Sequence, residues 1–129
     1  MIDARVSSGS PFEQPIGFSR AVRAGHQVAV SGTAPVWADG SVDPDPLVQA
    51  RRCFQIALAA LSDLGGGPDD VVRTRMFLVD PADWQAVGQA HAEVFGTVRP
   101  AATMVVVSAL LDPRWRIEIE LDAVLAPPA

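Results

Sequence analysis

The segment that most constrains this chain is Arg116-Ile-Glu-Ile-Glu-Leu-Asp-Ala-Val124, near its C-terminal end. Ile117, Ile119, Leu121 and Ala123 alternate with Arg116, Glu118, Glu120 and Asp122, the period of a strand with one buried face and one polar face. A strand predicted over Trp115–Leu125, stopped by Pro127-Pro128, therefore needs a layer to cover its apolar side. Two helices can supply that layer. Asp45-Pro46 is an N-cap followed by proline at the first helical position, and Leu47, Ala50, Phe54, Ala57, Leu58, Leu61 and Leu64 recur at three and four. Gly65-Gly66-Gly67-Pro68 ends this helix. A second helix is expected from about Pro81 to Phe95, capped by Asp80, with Asp83 in its first turn and Trp84, Val87, His91 and Val94 or Phe95 facing inward.

Further strands are expected at Phe18–Val22, Gln27–Ser31, Val71–Val79 and Thr103–Leu110, with Ala24-Gly25 as a hairpin turn and a small additional strand after Asp39-Gly40. Residues 1–15 read as a polar lead-in to a single domain spanning residues 1–129. The fold class is α+β: a mixed sheet with two long helices packed on one face. Arg73 and Arg75, placed on one face with Val71 and Phe77, would join Glu118 and Glu120 on the uncovered side. A face that is part charged and part bulky-apolar points to self-association.

Composition excludes several function classes. The net charge is -5, and all ten basic residues are arginine, so no Schiff-base lysine and no covalently held pyridoxal phosphate is possible. Clustered cations, the usual source of affinity for nucleic acid or anionic lipid, are not evident, and no partner of either kind is expected. No apolar run has the length of a membrane span and no secretory leader is recognisable, which reads as a cytoplasmic protein. Cys53 is the single cysteine, inside the first helix, and reads as inert. No metal site is expected, because His26 and His91 lie far apart and only Glu93 accompanies His91. His91 is placed on an apolar stripe as a packed residue, and His26 beside a hairpin glycine as an exposed one. No glycine-rich phosphate loop is present, so no cofactor is implied. Ser31, where a strand gives way to Gly32, is positioned to bond a ligand. Glu118 and Glu120 are either half of an ion-pair ladder with Arg73, Arg75 and Arg116, or one of them has a functional role.

Five segments together carry a resemblance: Ile16–Gly25 (IGFSRAVRAG), Val28–Pro35 (VAVSGTAP), Asp70–Asp80 (DVVRTRMFLVD), Arg99–Ala102 (RPAA) and Arg116–Val124 (RIEIELDAV). In order and spacing they resemble the Rid family, the reactive-intermediate deaminases also called the YjgF family. The resemblance implies a chorismate-mutase-like protomer, a homotrimer with intersubunit clefts, and hydrolysis of 2-imino acids or their enamine tautomers to 2-oxo acids and ammonia. It also implies Glu120 and Ser31 as catalytic residues, the first positioning or deprotonating water, with Phe18, Gly32, Arg75, Ala102, Met104 and Trp115 around the substrate. Ala102 stands where the family places a carboxylate-binding arginine after Pro-Ala; Phe18 stands in place of tyrosine, Gly88 of asparagine and Met104 of cysteine. The pattern is that of an arginine-lacking branch, with Arg75 the candidate for a relocated anion clamp. A small-metabolite-binding protein without turnover is the alternative; a ribonuclease or translation inhibitor sits poorly with the acidic charge.

Overall fold

The apolar alternation is built into the centre of a six-stranded sheet. In the computed structural model, which describes residues 1–127, the strands are β1 (Ala4–Val6), β2 (Ala21–Ala24), β3 (Gln27–Thr33), β4 (Val71–Leu78), β5 (Ala101–Val106) and β6 (Ile117–Val124), and the helices are α1 (Pro46–Asp63) and α2 (Trp84–Phe95). The sheet order is β1-β2-β3-β6-β4-β5, antiparallel throughout except for the parallel pair β4–β5. This is the expected mixed α+β sheet with both helices on one face. Ile117, Ile119 and Leu121 of β6 have no exposed surface and pack with Val28 and Val30 of β3, Met76 and Leu78 of β4, Phe54 and Leu61 of α1, and Val87 and Phe95 of α2.

The ends of α1 are set by local chemistry. Asp45 caps it by accepting from the Leu47 N–H at 2.8 Å and the Val48 N–H at 3.4 Å. At the far end Gly65 takes φ +94°, so that its N–H donates to Ser62 O and that of Gly66 to Leu61 O, a Schellman closure that a side chain at Gly65 would strain. Gln49 is fully enclosed: its amide donates to Asp43 O (2.7 Å) and Arg114 O (2.9 Å), and its carbonyl accepts from the Arg116 N–H (2.7 Å). One side chain thus ties the loop before α1 to the loop before β6.

Several expectations are corrected. The lead-in contains β1, which pairs with β2, and a π-helical turn at Glu13–Gly17. β2 begins at Ala21 rather than Phe18, because the Phe18 N–H closes the π-helical turn on Glu13 O and Ser19 O accepts from the Ser31 hydroxyl. The hairpin turns on Gly25-His26, one residue later than expected, with Gly25 at φ +61°. No strand follows Asp39-Gly40; Asp39 instead caps a turn through Ser41. Val71 does not share a face with Arg73, since a register shift between them turns Val71 into the core and leaves Val72 exposed. β5 stops at Val106. Pro81–Asp83 forms a separate 3₁₀ turn, which leaves Trp84 58% exposed, not inward. Pro128 of the expected C-terminal stop lies outside the described residues. No described helix is long and apolar enough to cross a membrane.

Candidate functional site

The uncovered sheet face carries the polar chemistry. Alternation sends Arg73, Arg75 and Phe77 of β4 and Glu118, Glu120 and Asp122 of β6 to this side, and register sets their partners. Arg75 lies opposite Glu120 and its Nη1 is 3.1 Å from Glu120 Oε1 and 3.2 Å from Asp122 Oδ2. Both carboxylates and the guanidinium are therefore engaged with one another.

Glu118 has a different neighbourhood. The ladder between β3 and β6 shifts register between Val30 and Thr33, a bulge that brings Gly32 against the Glu118 side chain. A Cβ at position 32 would stand 3.2 Å from Glu118 Oε1 and 3.3 Å from its Cδ, so glycine permits the approach. Glu118 forms no hydrogen bond or ion pair with a described residue. Burial pushes its carboxyl above the ordinary carboxylate range, Arg20 pulls it partly back, and Glu120 adds to the rise. Arg20 fixes the bulge from below, donating to Gly32 O at 3.1 Å and Thr33 Oγ1 at 2.8 Å. Its own pKa is lowered, chiefly by burial.

Beside the bulge, Ser31 and Phe18 line a hollow of about 570 Å³ with Ile2, Arg5, Glu13, Gln14, Gly17, Ser19 and Val22. The Ser31 hydroxyl donates to Ser19 O at 2.6 Å, which pins the Phe18 segment and leaves the oxygen's lone pairs to accept from a ligand. Phe18 is 36% exposed.

The remaining expected site residues lie elsewhere. Ala102 and Met104 are on β5, opposite Thr74 and Met76 of β4, and therefore on the helix-covered side at the sheet edge. Between β3 and β5 stand β6 and β4, so about 14 Å of sheet separates Ser31 from Ala102. Trp115 is half-buried in the turn before β6, and its indole N–H is enclosed without a partner among the described residues. One chain brings together Phe18, Ser31 and Gly32, and separately Arg75 and Glu120, but not all eight residues. Arg20 and Arg5 were missed by sequence reasoning. Arg20 lies inside the Ile16–Gly25 segment, directly before β2, but nothing in that segment marks it as a partner of Gly32 and Thr33; only the bulge explains its role.

The other candidates behave as packed or solvated groups. His91 Nε2 is 2.8 Å from Thr74 Oγ1, its ring is 5.7 Å from that of Phe54 and 4.8 Å from that of Phe95, and burial lowers its pKa. His26 is exposed in the hairpin turn. Cys53 is fully buried in α1 and burial raises its thiol pKa, which suppresses the thiolate. Among the described residues no group of three or more histidine, cysteine or acidic side chains is arranged to hold a metal.

The sequence from residue 11 to 125 matches the family model described as Endoribonuclease L-PSP, and the fold superimposes with TM-score 0.86 on the crystal structure of a YjgF/YER057c/UK114 family member from Mycobacterium tuberculosis. The chain belongs to the Rid/YjgF family. With that structure it shares 42% identity, over 95% of this chain and 98% of the other. An uncharacterised protein from Streptomyces coelicolor is 42% identical over 120 residues, 92% of this chain and 90% of its own length. The 3-aminoacrylate deaminase RutC of Acinetobacter baylyi is 37% identical over 101 residues, 77% of this chain and 79% of that protein.

Proposed function

We propose that this Rid-family chain hydrolyses an imine or enamine of a small metabolite, releasing ammonia, in clefts between the subunits of a cytoplasmic homotrimer. The observation that carries the reading is the half-buried Glu118 carboxyl, unpaired and raised in pKa, set against the Gly32 backbone next to Ser31. Of the two glutamates on this strand face, Glu120 is occupied by Arg75, so Glu118 takes the catalytic role. It accepts a proton from water as the water oxygen bonds to the carbon of the protonated imine, and returns that proton to the resulting amine nitrogen; as the carbon–nitrogen bond breaks and the carbonyl forms, the hydroxyl proton goes to the departing ammonia. A carboxyl with a raised pKa is matched to both halves of that cycle. Ser31 accepts a hydrogen bond from the substrate nitrogen, and Phe18 forms an apolar wall. The activity that the Acinetobacter relative is named for, deamination of 3-aminoacrylate, is chemistry of this class.

The separation of Ser31 and Ala102 supports a cleft between subunits as the place where both border the ligand. A second chain whose β5 edge docks beside the bulge brings Ala102 and Met104 to the ligand, and covers Val105 and Val106, which are 40% and 52% exposed. One favourable observation supports the reading as a binder without turnover: Ala102 offers no charge to hold a reacting carboxylate. Generating 2-imino acids with an amino-acid oxidase in the presence of semicarbazide separates the two. The deaminase reading expects protein-dependent loss of semicarbazone for at least one side-chain type, and a three-chain mass in sedimentation. Saturable binding of unchanged ligand with no such loss would leave the binder.

A further inference from the structure

Ala102 stands where the resemblance implies a carboxylate-binding arginine, which leaves open where a substrate's negative charge would be held. Arg75 already faces two carboxylates through its Nη1, those of Glu120 and Asp122, so a substrate carboxylate there would meet an excess of negative charge. Arg51 pairs with Glu93, Arg114 with Asp112 and Arg116 with Asp83. Arg20 and Arg23 donate to backbone carbonyls at Gly32 and Leu64, and Arg52 lies over the Trp37 ring while donating to Val36 O. Among the described residues, that leaves Arg5, Arg73 and Arg99 without a hydrogen-bonded partner. Arg73 lines a different hollow, beside Asp122 and Val124, and Arg99 precedes β5. Arg5 alone of the three opens onto the hollow that holds Phe18 and Ser31.

Its backbone is fixed for the purpose. Arg5 lies opposite Val22, which lies opposite Ala29 on β3, so all three side chains share the uncovered face, and Ser31 follows Ala29 by one strand period. The short β1 is tied at both ends, by Asp3 N–H to Arg23 O and Arg20 N–H to Val6 O, each 2.8 Å, and Asp3 Oδ2 accepts from the Gly25 N–H at 2.7 Å. The hollow's acidic residue does not compete for Arg5. Glu13 directs its oxygens to the Ser7 and Ser8 hydroxyls and the Ser8 N–H, within its own loop.

We propose that Arg5 is the substrate-carboxylate clamp of this protein, so that the ligand is a small carboxylate with an apolar body lying on Phe18 and Val22 and its nitrogen directed to Ser31. The inference rests on the reading of this hollow as the substrate site. The charge is then supplied by the same chain that supplies Ser31 and Glu118. A planar guanidinium can take a carboxylate with two parallel hydrogen bonds, a geometry that lysine does not reproduce.

The test compares phenylacetate with its uncharged amide, phenylacetamide, by titration of the full-length protein followed by amide-resonance shifts in NMR. Wild type is expected to bind phenylacetate about 10-fold or more tightly than phenylacetamide, and Arg5→Gln to lose about 10- to 100-fold toward phenylacetate while leaving phenylacetamide unchanged. Arg99→Gln is expected to change neither. Arg5 is exposed, and an unchanged thermal midpoint in Arg5→Gln separates lost charge from lost fold. Equal binding of both probes, weakened by Phe18→Ala but not by Arg5→Gln, would overturn the clamp and keep the site. Loss of phenylacetate binding in Arg99→Gln instead of Arg5→Gln would also overturn it. If neither probe binds wild type, the clamp and the site reading fall together.

Discussion

Replacing Gln49 tests how the loop before β6 is held in place. Its side chain is 1% exposed and makes three hydrogen bonds of 2.7–2.9 Å, to Asp43 O, to Arg114 O and from the Arg116 N–H. Gln49→Met keeps the volume and removes all three. At about 1 kcal/mol net per bond, and more where a buried carbonyl is left bare, the expected loss is about 3 kcal/mol. At about 4 °C per kcal/mol for a chain of this size, the thermal midpoint should fall by about 12 °C. Gln49→Glu supplies an internal control. Its carboxylate still accepts from Arg116 but confronts two carbonyls, so its folded pKa rises above the unfolded one. Stability is then greater at acidic pH and is lost as pH rises through the interval between the two values. Urea unfolding at fixed protein concentration, at pH 5 and pH 8, reads both effects. A loss below about 1 kcal/mol in Gln49→Met, or a Gln49→Glu variant no better at pH 5 than at pH 8, would show that the loop is not held by this side chain.

Two further predictions follow from the site and its packing. Gly32→Ala puts a methyl 3.2 Å from Glu118 Oε1, which a flexible glutamate relieves by turning away; the expected result is less than about 1 kcal/mol of lost stability with about a 10- to 100-fold lower kcat, and unaltered kcat would contradict the placement of Glu118. His91, whose folded pKa is lowered by burial, contributes stability that is complete above its ordinary pKa of 6.5 and lost as pH falls below it. The urea midpoint of wild type should therefore drop more between pH 7 and pH 5 than that of His91→Gln, and parallel curves would mean that the histidine does not resist protonation.

What was legible in the sequence is what local chemistry determines. α1 begins and ends where Asp45-Pro46 and the glycine run place it, because cap and Schellman geometry are properties of adjacent residues. The β6 alternation foretold a buried and a polar face, and the order of strands and helices foretold the sheet with two helices on one face. What long-range register determines was not legible. β1 is three residues of unremarkable sequence, and it exists because β2 offers it an edge. Trp84 fits the apolar stripe of α2 by spacing, but the preceding 3₁₀ turn rotates it out. The same limit governs the site. Alternation puts Glu118 and Glu120 on one face without distinguishing them. Only the pairing of β4 sets Arg75 against Glu120, and only the β3 bulge sets Gly32 against Glu118. Arg5 was invisible for a similar reason, since its proximity to Ser31 requires two strand pairings to be known.

That division between the two glutamates is the centre of the account, and a single comparison addresses it: the imine-hydrolysis rate of Glu118→Gln beside that of Glu120→Gln, each with its thermal midpoint. With Glu118 as the acid–base group and Glu120 as the partner of Arg75, Glu118→Gln should lose about 10²- to 10⁴-fold in rate at nearly unchanged stability. Glu120→Gln should keep most of its rate and give up some stability. The reverse pattern, a dead Glu120→Gln and an active Glu118→Gln, would contradict it.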